Sequence, residues 1–120
     1  MDSFDWPEGF CRHKIMRADK AVSKIRRGSR VFIGTGCGEP QELIRAMVKD
    51  LRLQDIMVYQ MFSYTFAQYV DDLSFLRRFS LKLFFISRSM RKAAFEGKID
   101  YIPSYLSQIP HLFSTKRIGL

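Results

Sequence analysis

Apolar residues recur along the chain with two different periods, and their alternation predicts the order of its elements. Ala18, Val22 and Ile25 stand at helical spacing and the run meets Gly28, so a helix is expected over 17–27. Arg30 to Ile33 is a short β-branched and aromatic run that reads as a buried strand. Pro40 opens a second helix, whose apolar stripe is Leu43, Ile44, Met47, Val48 and Leu51, with Glu42 near its positive end. Further strands are predicted over 56–62 and 81–86, and a third helix over 89–96, closed by Gly97. Residues 63–80 scatter Tyr64, Phe66, Tyr69, Phe75 and Phe79 among polar positions without a clear period, and these rings read as core or interface packing. Tyr101 to Phe113 mixes aromatics with prolines and predicts short helical turns, while Ile118 to Leu120 reads as the opening of another strand. Residues 1–16, with Trp6, Pro7 and Gly9, form an irregular lead.

Strands that are apolar on both sides and alternate with helices predict an α/β fold, a parallel sheet flanked by helices. Three or four strands make a thin sheet for a free-standing domain, and eleven Phe are many for so small a fold. The expectation is a partial sheet in an incomplete domain, with aromatic surface left for polypeptide elsewhere or for self-association as a homo-oligomer.

Composition narrows the classes. With 120 residues, 47% hydrophobic and 27% charged, the chain is globular, which excludes a disordered tail or a collagen-like repeat. Its longest apolar run, Leu83 to Ile86, is far short of a bilayer span, so no membrane partner is expected. Asp2, Asp5 and Glu8 lie where a signal peptide would carry positive charge. Cys11 and Cys37 lack CxxC spacing and read as reduced thiols, so a cytoplasmic location is expected. His13 and His111 are isolated, and no metal site is expected.

The formal net charge of +8 is concentrated at one place. Arg12, Lys14, Arg17, Lys20, Lys24, Arg26, Arg27 and Arg30 face a single acid, Asp19, within residues 11–30. On a helix whose other face is apolar, these cations read first as a solvated face and second as a footprint for phosphates or another polyanion. No zinc-ligand pattern or aromatic RNP signature accompanies them, and no nucleic-acid partner is expected.

The densest local chemistry is Val31-Phe32-Ile33-Gly34-Thr35-Gly36-Cys37-Gly38-Glu39-Pro40, a strand feeding a glycine loop and then a helix. Such a loop lets a ligand approach backbone N–H groups, and can hold a phosphate, a carboxylate or the oxyanion of an acyl-transfer intermediate. The dinucleotide fingerprint GxGxxG would need glycine where Glu39 stands and an acid closing the next strand, which instead ends Tyr59-Gln60-Met61-Phe62. A tight strand-to-helix turn with no ligand remains the plainer alternative.

The stretch from Val31 to Pro40, followed by Gln41-Glu42-Leu43, resembles the amino-terminal glycine loop of the acetyl-CoA hydrolase/transferase family, which includes 4-hydroxybutyrate and succinyl-CoA:acetate CoA-transferases. A second likeness is Phe84-Phe85-Ile86, then Arg91, Glu96-Gly97, Asp100-Tyr101-Ile102-Pro103, Leu106-Ser107 and Ile109-Pro110, similar to the family's EGxxDYxP and LSxIPxLF stretches. Order and spacing agree over roughly residues 18–118. The resemblance implies an α/β fold of the CoA-transferase type, with residues 17–120 as the first part of its amino-terminal domain. It implies transfer of CoA between carboxylic acids, or hydrolysis of acetyl-CoA, through a glutamyl-CoA thioester. Acyl-CoA and short carboxylic acids are then the partners, together with the remainder of the polypeptide. Coenzyme A acts as an acyl-carrying substrate, and no bound cofactor is implied.

The attacking glutamate belongs to the family's carboxy-terminal half, so no residue here is assigned a catalytic role, and the chain alone is expected to be inactive. Glu39 and Glu42 read as a helix start. The candidate substrate and oxyanion loop is Gly34, Thr35, Gly36, Cys37, Gly38, Glu39 and Pro40. Ser63, beyond the second strand, and Ser87, Arg88 and Ser89, beyond the third, are candidate substrate contacts, because ligands of parallel sheets bind outside the carboxyl ends of strands. Helix capping is the alternative for Ser87 and Ser89, and a plain surface position for Arg88. The rival function is a stand-alone anion- or nucleotide-binding module using the same loop.

Overall fold

A computed structural model describes residues 11–118; the lead residues Trp6, Pro7 and Gly9, and the end of the strand expected over 118–120, lie outside the described residues. Four strands, β1 (Arg30–Ile33), β2 (Ile56–Gln60), β3 (Phe79–Leu83) and β4 (Asp100–Tyr101), form one sheet in the order β1-β2-β3-β4, every pair parallel. The helices are α1 (Ala18–Val22), α2 (Gln41–Lys49), α3 (Leu73–Arg78), α4 (Arg91–Phe95) and α5 (Ile109–Ser114).

Strand alternation divides the core in two. Ile33, Ile56, Val58, Phe79, Leu81 and Leu83 point to the face covered by α1 to α4. Tyr59 and Phe84 point to the other face, where Ile109, Leu112 and Phe113 of α5 cover them. Part of the phenylalanine excess is absorbed inside: of the nine among the described residues, Phe66, Phe75, Phe79 and Phe84 are buried. Phe75 alone bridges Phe66 and Phe79, with ring centroids 5.7 and 5.0 Å away. Phe32, Phe85 and Phe95 remain exposed.

β1 has the predicted bounds, and α2 begins one residue later than predicted, with Pro40 in the capping position. α4 ends as its sequence requires. Gly97 adopts φ +72°, its N–H reaches Ala94 O and the Lys98 N–H reaches Ala93 O, the Schellman arrangement. The β3 ladder is shifted towards the N-terminus but runs on past Leu83, since the Phe84 and Phe85 amides donate to Gln60 O and Met61 O.

Three expectations change. The first helix stops at Val22 rather than Arg27, because the Ser23 hydroxyl donates to Lys20 O and the next amides close tighter three-residue turns on Ala21 O and Val22 O. Residues 63–80 hold a helix, α3, capped by Asp72, which accepts the Ser74 N–H at 2.8 Å. Ile118 lies in a bend, buried near Tyr59, rather than in a strand, and its N–H donates to Leu112 O.

Candidate substrate-binding site at the strand ends

β1 leaves the sheet at Ile33, and the glycine loop follows as a 3-10 turn over Gly36–Gly38. Two glycines are required by position. Gly36 has φ +61°, in the left-handed region. A Cβ on Gly34 would stand 3.1 Å from Gly38 O, tighter than backbone comfortably allows. The Gly38 and Glu39 amides close on Thr35 O and Gly36 O, and the Gln41 amide on Glu39 O. Among the described residues, the Gly34, Thr35, Gly36 and Cys37 amides have no backbone acceptor outside the helices and strands. We expect Gly36→Ala to lower stability by about 1 kcal/mol through left-handed strain. An unchanged urea midpoint would contradict that geometry.

The turn is clamped to the end of β2 at two points. Thr35 Oγ1 donates to Phe62 O at 2.5 Å and accepts from Phe62 N at 3.1 Å, imitating a ladder pair with a side chain. Glu39 supplies the second clamp. Its carboxylate turns inward and is buried, accepting from Gln60 Nε2 (2.9 Å), Ser63 Oγ (3.1 Å), Thr65 Oγ1 (2.8 Å) and Thr65 N (3.3 Å). Gln60 Nε2 also donates to Gly34 O, which fixes the orientation of the amide, since a flipped oxygen would face two acceptors. Burial pushes the Glu39 carboxyl up, but the hydrogen bonds from Gln60, Thr65 and Ser63 outweigh it and hold the pKa below the ordinary carboxylate value.

The clamp corrects two readings. Glu39 does not start the helix, whereas Glu42 does sit exposed in the first turn of α2. Ser63 is fully buried, its hydroxyl donating to Glu39 and accepting from Phe66 N, so it holds the clamp instead of facing a ligand. Gln60 and Thr65 had no assigned role; the available signal for Gln60 was a polar residue inside an apolar strand.

Beside the turn lies an open groove of about 530 Å3, lined by Phe62, Tyr64, Phe85, Ser87, Arg88 and Ser89. Its aromatic walls meet edge to face, Phe62 with Tyr64 at 5.3 Å and with Phe85 at 6.0 Å. Gly36 abuts the same wall: a Cβ there would stand 3.7 Å from Phe62 Cζ. Arg88 and Ser89 are exposed at the groove, and the Ser87 hydroxyl lies 3.1 Å from that of Ser89 and 3.4 Å from Ser63 O. Ser87 occupies the capping position of the turn Arg88–Met90 without a side-chain cap. The structure thus brings Gly36, Cys37, Ser87, Arg88 and Ser89 to one end of the sheet. Cys37 is an exposed free thiol, and Pro40 leads into α2.

Known proteins resemble this chain in sequence and in fold. The chain is 31% identical over 115 residues to the 4-hydroxybutyrate coenzyme A transferase of Clostridium kluyveri, covering 95% of this chain and 26% of that protein. It is 32% identical over 105 residues to the succinyl-CoA:acetate/propanoyl-CoA:succinate CoA transferase of Fasciola hepatica, covering 85% and 21%. It therefore spans about a quarter or less of the length of these relatives. Among solved structures, RipA from Yersinia pestis superposes with a TM-score of 0.72 at 22% identity, covering 85% of this chain and 26% of that one. A RipA mutant gives 0.73 at the same identity, covering 84% and 26%. These likenesses show the CoA-transferase type of α/β fold. With residues 8–118 matching the acetyl-CoA hydrolase/transferase N-terminal domain, the chain belongs to the acetyl-CoA hydrolase/transferase family.

Proposed function

We propose that this chain supplies the acyl- and carboxylate-binding part of a cytoplasmic enzyme that moves CoA between short carboxylic acids, or hydrolyses acetyl-CoA, through a glutamyl-CoA thioester. One observation carries the reading: a clamped glycine turn, whose Gly36 and Cys37 amides have no backbone acceptor among the described residues, and an aromatic groove lined by Arg88 share the carboxyl end of the sheet. In this reading the Gly36 and Cys37 amides receive the negative oxygen that develops as the thioester is attacked. Phe62, Tyr64 and Phe85 take the acyl chain, and Arg88 pairs with a carboxylate. Glu39 is not the nucleophile, because its oxygens are buried and held by four donors. The attacking glutamate comes from polypeptide beyond this sequence, and 120 residues alone do not turn over.

Saturation-transfer NMR on the purified chain tests this. The acyl protons of acetyl-CoA and butyryl-CoA are expected to receive saturation, and Phe85→Asp, at an exposed position, to reduce it at least threefold. Saturation confined to nucleotide protons, equal for ATP, would favour a phosphate-binding module instead.

A further inference from the structure

The candidate site occupies one end of the sheet; the other end carries a different chemistry. In a parallel sheet every strand starts at the same end, so the segments that precede β1, β2 and β3 gather opposite the glycine turn. Cross-contacts tie them together there. The Gly28 amide donates to Gln54 O at 3.2 Å, and Arg27 pairs with Asp55 at 2.6 Å. The carboxyl end of α2 lies there too, because Arg78, just before β3, donates to Val48 O and Asp50 O.

This end is basic on its outside. Arg26, Arg27, Lys49, Arg52 and Arg77 stand on these segments and all are exposed. The two acids among residues 49–55 are already answered: Asp50 by Arg52 at 2.8 Å, and Asp55 by Arg27. Among the described residues, Arg26, Lys49 and Arg77 have no carboxylate within 4.0 Å. Their charge is therefore left for a partner. Leu51 stands among them, between Asp50 and Arg52. Its spacing puts it in the apolar stripe of the second helix, but α2 ends at Lys49 and the side chain is 73% exposed.

Bare aliphatic surface among unpaired cations suits a partner that is anionic at its surface and apolar just beneath. A single-stranded nucleic acid would instead find no aromatic ring to stack on, since residues 26–29, 49–55 and 77–78 contain none.

We infer that the amino end of the sheet docks on an anionic lipid bilayer, with Arg26, Lys49 and Arg77 against the headgroups and Leu51 dipping below them. The contact is a surface one: among the described residues, no helix is long and apolar enough to cross a membrane. Short apolar runs argue against a span, not against a face that lies on headgroups. Docked this way, the chain keeps its glycine turn and aromatic groove at the end away from the lipid. The inference does not depend on the acyl-CoA reading of that end.

Co-sedimentation of the intact chain with sucrose-loaded vesicles tests it. Vesicles of two parts phosphatidylcholine to one part phosphatidylserine are expected to carry the chain down, and phosphatidylcholine alone is not. Added salt should release it, because exposed charges are screened. Each cation near an anionic membrane strengthens partition roughly fivefold, so Arg26→Gln, Lys49→Gln and Arg77→Gln together should weaken binding by about tenfold or more. Leu51→Ser should weaken it by roughly threefold or more while leaving the urea midpoint of this exposed position unchanged. If the triple variant sediments like the native chain, or if phosphatidylcholine alone carries the chain down equally, the docking face is overturned. If Leu51→Ser binds as tightly as the native chain and single-stranded RNA strips the chain from the vesicles, the face is a general polyanion surface and the lipid assignment falls. Release by free glycerophosphoserine would point to a single-headgroup pocket and overturn it as well.

Discussion

Glu39→Leu is expected to cost on the order of 3–5 kcal/mol of folding stability, since each buried donor left without an acceptor costs about 1–3 kcal/mol. The leucine fits the space but accepts nothing. Ser63 Oγ, Thr65 Oγ1 and Thr65 N lose their acceptor, and Gln60 Nε2 keeps only Gly34 O. Among the described residues Gln60 Oε1 is already buried without a hydrogen-bond partner, so the network has little slack. Glu39→Gln should be milder, because it preserves shape and one acceptor while turning an amide donor towards other donors.

The two variants also separate charge from shape. The folded carboxyl is held below its ordinary value, so its contribution is complete above the unfolded pKa and is lost as pH falls through the lower, folded one. Urea midpoints taken from pH 7 down to pH 3 should therefore fall more steeply for the native chain than for Glu39→Gln. Parallel curves would sink the assignment of Glu39 as a charged clamp. Because that clamp orients the glycine turn, Glu39→Gln should also broaden the amide resonances of residues 36–38 at neutral pH.

The second large effect is expected at Arg78, a buried cation whose hydrogen bonds run to carbonyls. Its Nη1 donates to Asp50 O at 3.0 Å and Leu53 O at 3.5 Å, and its Nη2 to Val48 O at 2.6 Å. The Val48 and Asp50 oxygens lie at the carboxyl end of α2, where aligned peptide dipoles favour positive charge, and Leu53 O lies in the loop that follows. The guanidinium also lies 4.9 Å from the Phe79 ring centre, a contact that favours arginine over a less planar cation. Arg78→Met keeps much of the apolar packing but leaves several carbonyls unanswered, for an expected loss of roughly 2–4 kcal/mol. Arg78→Lys should recover less than half, since one ammonium cannot span carbonyls on both sides of the fork. Hydrogen exchange should quicken first at the last turn of α2. Native-like stability in Arg78→Met, with unchanged protection there, would contradict the role.

Much of the scaffold was legible in the order of residues. β1, α2 and the stop at Gly97 depend on neighbours within a few positions, where periodicity, a proline and a positive-φ glycine act directly. Local pattern was ambiguous where packing decides. α3 carries aromatic residues without a clean stripe, because Phe75 and Phe79 stack on one another across the junction between helix and strand. β4 is only two residues long and exists through its ladder to Lys82 and Leu83. The helix expected over 17–27 lost its second half to a serine that answers a carbonyl of its own turn.

The site divides the same way. Sequence alone determined that a glycine loop follows β1, that it feeds a helix, and that serines and an arginine follow the third strand. Only the tertiary structure decided which way Glu39 turns. Its partners stand 21 to 26 positions away, and they meet it because the parallel register sets Ile33 opposite Gln60. A carboxylate before a helix looks solvated in one dimension. Packing β2 beside β1 removes the water there and puts four donors in its place.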